Sequence, residues 1–444
     1  MSEKYSEMPS AELANAVMNE AANLFPECLK LLGASIAVES YTGRERGQAD
    51  LLLAWLGERG IPACRLPRGG VLALVTPKEF APDLRGFAGM GDQARLDAIR
   101  EAVAAVRKAG MPLMAYDAHM DVVEAGEDAA WTVPPFALTR RDGRLYGRGT
   151  CDMKGALVAM TVALELANRV ASRQPLRQAV LGCFVTEEEG AEGLSLAEII
   201  RTLGIRPDWV LLGEPSKLEI ARGQRGKFQF VMRAKGRRAH TSVPEVGDNA
   251  AYKLARAAIE VGAFDTEEYT RVGPEPDRVL ERSTLVVTTF RTEPFTTSSV
   301  PEGAVADVTV RLAAGQNDAT IVSRLKARPD WPDVEIEPIV YRQPSYTGKT
   351  ADWPSMHLAW ETPRDHACTR MLRAAAQAVR GVVPPDKIWP FSTDGVLSAG
   401  EEKIPTLGYG PGREDVCHVV DEWITEVELA DALAVYGLLP FLRG

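Results

Sequence analysis

Five places in this 444-residue chain put a metal-competent side chain at the end of an apolar run or inside a glycine-rich turn. They are His119-Met120-Asp121, Asp152 in GRGTCDMKG, Glu187-Glu188-Glu189 in VTEEEG, Glu214 in LLGEPS, and His418 after GYGPGREDVC. Alone, each has a plain explanation: an HxD is usually a surface turn, and a run of three glutamates is usually solvated charge. Together they place two of the five histidines and several carboxylates at successive strand ends, and a shared site is the simpler account. Nitrogen and carboxylate donors without thiolate suit Zn²⁺, with Mn²⁺ or Co²⁺ as substitutes. Two such ions ~3.5–4 Å apart can share one carboxylate and one water. The chemistry would be hydrolysis, with a neighbouring carboxylate as base.

Such residues need elements to aim them. Apolar runs predict strands over 70–76, 113–118, 179–186, 209–213 and 406–409, with helices over 11–32, 48–59, 96–108, 155–170, 365–380 and 425–442. Alternating strands and helices, with nearly continuous apolar strands, indicate an α/β fold with a mostly parallel sheet covered on both faces. In such sheets, sites form at the carboxyl ends of the strands. After residue 220 the pattern changes to strands over 229–234, 283–290, 304–312 and 334–339, with helices over 249–261 and 318–327. This reads as an α+β insertion. Residues 1–222 and 341–444 are then the two parts of a catalytic, metal-binding domain, and 223–340 is the insert.

Composition narrows the function. Lys and Arg number 51 against 61 Asp and Glu, a net charge of −10, which offers no electrostatic footprint for nucleic acid or an anionic membrane. No apolar run approaches the ~18–20 residues of a membrane span. The start, MSEKYSEMPSAELANAV, has no apolar core of a leader, so the expected location is cytoplasmic. The six cysteines are irregularly spaced without a CxxC pair, which fits reduced, buried thiols.

The motifs HMDVV, GRLYGRGTCDMKG, TEEEG, LLGEPS, RGQRG, AHTSVPEVGDNA, FSTDG and IPTLGYGPG follow one another from Glu39 to the carboxyl terminus. In this order they resemble the zinc metallopeptidase and amidohydrolase superfamily of aminoacylase, carboxypeptidase G, acetylornithine deacetylase and succinyl-diaminopimelate desuccinylase. The resemblance implies a ferredoxin-like insert serving as lid and dimerisation domain, hence a homodimer or higher homo-oligomer. It implies one or two ions per subunit. His119, Asp152 and Glu214 would hold one, and Asp152 would bridge to a second completed by Glu189 and His418. Glu188 would be the general base, Asp121 would accept from the His119 ring, and a cis peptide would follow Asp152. His240 would reach the partner's site and stabilise the oxyanion. Arg225, Thr393, Asp394 and Ser298 would contact substrate, with Arg222 and Arg311 as further candidates for a substrate carboxylate. Many relatives carry Asn-x-Val-Pro where this chain has Ser298-Ser299-Val300-Pro301. The 77–110 segment is longer than the usual link and is expected to cover the site mouth or an oligomer contact. His357 and His366 match no ligand position, and Cys151 and Cys417 read as packed small residues.

The activity implied is metal-dependent cleavage of an amide-type C–N bond in a small molecule. Two alternatives stand beside it. One is displacement of ammonia from an electron-poor aromatic amine such as 5-nitroanthranilate, with Trp389, Phe391, Tyr346 and Phe295 as aromatic surface. The other is a degenerate dimeric scaffold. Its mark would be a missing ligand or base, and all are present.

Overall fold

The computed structural model describes residues 8–443 apart from 88, 274, 275, 294 and 296. Residues 1–7, part of the segment read as having no leader, lie outside those described. A nine-stranded sheet organises most of the chain. Its centre is parallel, in the order Ala179–Val185, Leu113–His119, Trp209–Leu212 and Thr406–Gly408. All seven residues of Leu113–His119 and of Ala179–Val185 are buried, as strands covered on both faces require. Antiparallel strands widen both flanks. Val71–Val75 and Ala63–Arg65 extend one side. Ile220–Gln224 and Trp360–Glu361 extend the other, with Asp386–Trp389 running parallel to Ile220–Gln224.

Helices cover both faces. Ala11–Ile36, Gly155–Val170, Ala367–Arg380 and Glu426–Leu438 share one hydrophobic core. Gly155–Val170 is apolar on nearly every side because it lies between the sheet and other helices. On the opposite face, Asp92–Lys108 buries Leu96, Ile99, Val103 and Val106. The long 77–110 segment is therefore a structural layer beside the sheet edge, where Asp92 accepts from the Arg65 amide at 3.2 Å. Among its described residues none lines the cavity described below, which leaves the oligomer contact as the other expectation for it. Its apolar stripe needs a sheet face to bury.

A second sheet is wholly antiparallel, in the order Thr284–Glu293, Gly303–Leu312, Gly226–Lys235 and Glu335–Pro338, with Met356–His357 also pairing to Gly226–Lys235. Phe228, Phe230, Met232 and Ala234 alternate into its core against helices Ala250–Val272 and Asp318–Lys326. The first of these helices runs beyond the 249–261 expected, because Phe264 and Val272 continue its buried stripe. Asn249 caps it, accepting from Ala251 and Tyr252 amides. Among the described residues no helix is long and apolar enough to cross a membrane.

Candidate metal centre and active site

The carboxyl ends of the parallel strands converge on one edge. Leu113–His119 ends on His119, and Trp209–Leu212 leads into Gly213-Glu214. Ala179–Val185 leads into the glutamate run, where Glu187 adopts φ 63°. That left-handed residue breaks the alternation of a strand, so Glu188 and Glu189 both line one cavity. Thr406–Gly408 leads to the loop carrying His418, φ 60°. Asp152 sits in the turn before helix Gly155–Val170, and the Asp152–Met153 peptide is cis. Glu422 holds that turn by accepting from the amides of Gly149, Cys151 and Asp152 at 3.0, 2.7 and 2.9 Å.

Two groups of possible ligands result. His119, Asp152 and Glu214 each offer an atom within 4.8 Å of the others, and so do Asp152, Glu189 and His418. Asp152 belongs to both. Its Oδ1 lies 2.9 Å from His119 Nε2 and its Oδ2 lies 3.0 Å from His418 Nε2. His119 Nε2 to Glu214 is 3.8 Å, and His418 Nε2 to Glu189 is 3.1 Å. Donors ~2.0–2.2 Å from a tetrahedral ion stand ~3.3–3.6 Å apart, so each group would hold a Zn²⁺-sized cation after its donors shift by a few tenths of an ångström.

Asp121 meets the His119 ring through its main chain. His119 Nδ1 lies 2.9 Å from the Asp121 main-chain carbonyl and 3.7 Å from its carboxylate. A carbonyl only accepts, so Nδ1 carries a proton; Nε2 faces Asp152 and Glu214, where its lone pair would be the ligand once an ion is bound. The carboxylate is engaged elsewhere. It accepts from the amides of Glu188 and Glu189, both at 3.1 Å, and from Thr42 Oγ1 at 2.8 Å. Asp121 thus shapes the glutamate turn and orients His119 through separate atoms.

The charges are out of balance without cations. Burial, then the charge of Glu214, pushes the Glu188 carboxyl well above the usual range. Burial and then Asp152 do the same to Glu214, and raise Glu189. Burial alone would raise Asp152 too, but hydrogen bonds from His119 and His418 hold it below the usual range. Asp152 and Glu189 raise His418 to about 10. Buried carboxylates need a positive counterpart, and a divalent ion in each group would supply it.

These side chains line a cavity of about 300 Å³. Asp152, Glu188, Glu189, Glu214 and His418 are on its wall, together with Glu192, Lys227, Arg311, Phe391 and Ser392. Other residues singled out in the sequence lie outside this lining. Arg225 donates to the Pro390 carbonyl at 3.1 Å. Thr393 is buried and donates to Gln224 at 2.6 Å, while Asp394 is buried and accepts from the Gly193 amide. Asp394 serves the backbone and Thr393 a neighbouring side chain; of the Ser392-Thr393-Asp394 segment, only Ser392 faces the cavity. Arg222 pairs with Glu361 and Asp386. Ser298 is exposed, as is His240, whose two-residue strand pairs with Ser299–Val300. His240 Nδ1 lies 2.7 Å from Ser242 Oγ. Of the four aromatic candidates, only Phe391 lines the cavity; Trp389 is fully buried, Phe295 is exposed, and Tyr346 donates to the Gly69 carbonyl. His366 caps helix Ala367–Arg380, and the Cys151 and Cys417 sulfurs pack 3.5 Å apart. Glu192, Lys227 and Glu422 were missed in the sequence. The one available signal was parity, since Lys227 occupies the face of its strand opposite Phe228.

A partly parallel sheet with two histidine–carboxylate groups at its strand ends is the frame of a metallohydrolase. The chain belongs to peptidase family M20/M25/M40, whose profile matches residues 115–440. It is 30% identical over 334 residues to the uncharacterized protein YgeY of Escherichia coli, covering 74% of this chain and 81% of that one. It is 29% identical over 351 residues to a probable succinyl-diaminopimelate desuccinylase of Staphylococcus epidermidis, covering 74% and 82%. Its fold matches the M20 metallo-carboxypeptidase Sso-CP2 of Sulfolobus solfataricus with a TM-score of 0.68 at 17% identity, covering 94% and 99%. The chain is a hydrolase acting on C–N amide bonds.

Proposed function

We propose that this enzyme hydrolyses an amide bond of a small molecule bearing a free carboxylate, such as an acylated amino acid or short peptide, using one or two divalent ions. His119, Asp152 and Glu214 would hold one ion, and Asp152, Glu189 and His418 the other, with Zn²⁺ favoured over Mn²⁺ or Co²⁺. The observation that carries this reading is Asp152, which turns one oxygen toward each histidine. When bound, the ions supply Lewis acidity, which makes water nucleophilic near neutral pH and polarises an amide carbonyl. Glu188 takes the proton from water and delivers it to the leaving nitrogen. Burial and the charge of Glu214 raise its affinity for protons. Asp121 fixes Glu188 through its amide. Arg311 lines the same cavity, and its guanidinium would receive a substrate carboxylate there.

The reading includes a cytoplasmic homodimer built on the second sheet. Edge strand Thr284–Glu293 exposes Val286 and Phe290, and helix Ala250–Val272 exposes Tyr252, Ile259 and Tyr269. An open edge beside apolar side chains suits a symmetric partner. His240, which is not among the residues lining the cavity of its own chain, would then act in the partner's site.

The test is protein stripped by chelation and reloaded with Zn²⁺, Mn²⁺ or Co²⁺, assayed with N-acetyl amino acids, their amides, and 5-nitroanthranilate. Activity should vanish on stripping and return with metal, on substrates with a free carboxylate. Full activity in exhaustively stripped protein overturns the proposal. Ammonia release from 5-nitroanthranilate alone would replace the amide reading with the aromatic one.

A further inference from the structure

Lys227 and Arg311 sit directly opposite each other on the neighbouring antiparallel strands Gly226–Lys235 and Gly303–Leu312. Residues paired this way share a face with Cβ atoms ~4.5–5.5 Å apart, and like charges there repel. Their neighbours Phe228 and Val310 point into the second sheet's core, so both cations point out of it and line the cavity. Glu192, on the loop after the glutamate run, compensates one of them. Its Oε1 lies 2.6 Å from Lys227 Nζ and accepts from Ser392 Oγ at 2.9 Å. Ser392 Oγ in turn accepts from Arg311 Nη1 at 2.7 Å. Among the described residues, no carboxylate lies within ion-pair distance of Arg311. The remaining neighbour, His357, is opposite Lys227 on its other side and turns Nδ1 toward Glu401 at 3.8 Å.

This arrangement is a competition already decided. Glu192 is buried, and burial alone would raise its carboxyl, but Lys227 and His357 hold it at about 2. An ionised, buried carboxylate must be paired. Only the Ser392 hydroxyl separates it from Arg311, and an arginine–carboxylate pair is among the strongest hydrogen-bonded contacts. We infer that Lys227 is a positioning residue for substrate recognition: by neutralising Glu192 it leaves Arg311 on Ser392, with its other N–H groups free for the substrate carboxylate. The inference rests on Arg311 receiving that carboxylate, but the positioning itself can be observed without any substrate.

The test compares Lys227→Met, Glu192→Gln and Lys227→Met/Glu192→Gln. In crystals of Lys227→Met, the Arg311 guanidinium should move onto Glu192. In the double variant and in Glu192→Gln it should remain on Ser392. Kinetically, Lys227→Met should raise KM for an N-acetyl amino acid by about ten- to a hundredfold, the cost of a charged hydrogen bond withdrawn from substrate. KM for the corresponding amide and kcat should change far less, and the double variant should recover most of the loss. Arg311 staying on Ser392 in Lys227→Met overturns the inference, as does a double variant no better than the single. If Lys227→Met does not fold, Glu192→Gln decides: Arg311 leaving Ser392 there refutes the positioning. If the wild type cleaves no N-acetyl amino acid, the substrate reading falls and the crystallographic arms still decide the role of Lys227.

Discussion

Glu187, Glu188 and Glu189 are chemically identical and adjacent, yet their surroundings give them three tasks. Glu187 turns away from the cavity to Arg68 at 2.7 Å and Tyr341 at 3.1 Å. Glu189 faces His418, and Glu188 faces the cavity without a histidine within ion-pair distance among the described residues. Glu188→Gln should therefore keep its metal while turnover falls by about 10²–10⁴. Glu189→Gln should lose metal from one of two sites. Metal content by atomic emission beside kcat separates them, and the reverse pattern would invert the two assignments. Glu192 carries a prediction about pH. Its folded carboxyl lies at about 2, below the ordinary value of 4.5, so its contribution to stability is complete above that value. As pH falls through 4.5 toward 2, the contribution fades. Urea unfolding at a series of pH values should show the wild type's advantage over Glu192→Gln shrinking on acidification; an advantage that grew would contradict the assignment.

At the scale of elements, the site depends on strand ends meeting at one sheet edge and on very close backbone packing behind it. Gly408 ends the strand Thr406–Gly408, and a Cβ there would lie 1.7 Å from the Trp389 ring. Trp389 cannot retreat readily, being fully buried and bonded through Nε1 to the Pro215 carbonyl at 3.0 Å. Gly408→Ala should cost about 1–3 kcal/mol or more by overpacking, read as a lower urea midpoint. Unchanged stability would mean that the Trp389 strand shifts freely. The glutamate turn is a second such device: a positive φ at a non-glycine residue is held by the Glu187–Arg68 pair and by Asp121 on the next two amides.

For the whole molecule, the proposed dimer depends on how the two sheets are joined. Strand Ile220–Gln224 of the large sheet runs through Arg225 directly into Gly226–Lys235 of the small one. That connection places Lys227 and Arg311 on the cavity while leaving His240 exposed elsewhere. If His240 serves the partner's site, His240→Ala should keep its metal and lose turnover. Mixing it with Glu188→Gln subunits should then restore activity, because a heterodimer has one site with both lesions and one with neither. Absence of recovery after proven subunit exchange, or a fully active monomer, would reject the shared site.

The sequence alone determined the parallel centre of the sheet, because apolar strands buried on both faces leave a continuous run that solvent-facing strands do not. It also determined which side chains could meet: His119, Glu188, Glu189 and Glu214 all follow such runs, and the carboxyl ends of parallel strands share an edge. The motif order supplied Asp152 and His418, which sit in turns whose geometry no periodicity encodes. Only the tertiary structure decided what distant chain segments do to one another. It divided the atoms of Asp121 between His119 and the glutamate amides. It chose Ser392 over Thr393 and Asp394 as the residue facing the cavity, and Arg311 over Arg222 and Arg225. It also brought Glu192 to Lys227, a contact between a loop beyond the large sheet and a strand of the small one, which depends on register and on the path between them. Side-chain type is local information, but the partner that fixes its charge and direction is set by packing across the fold.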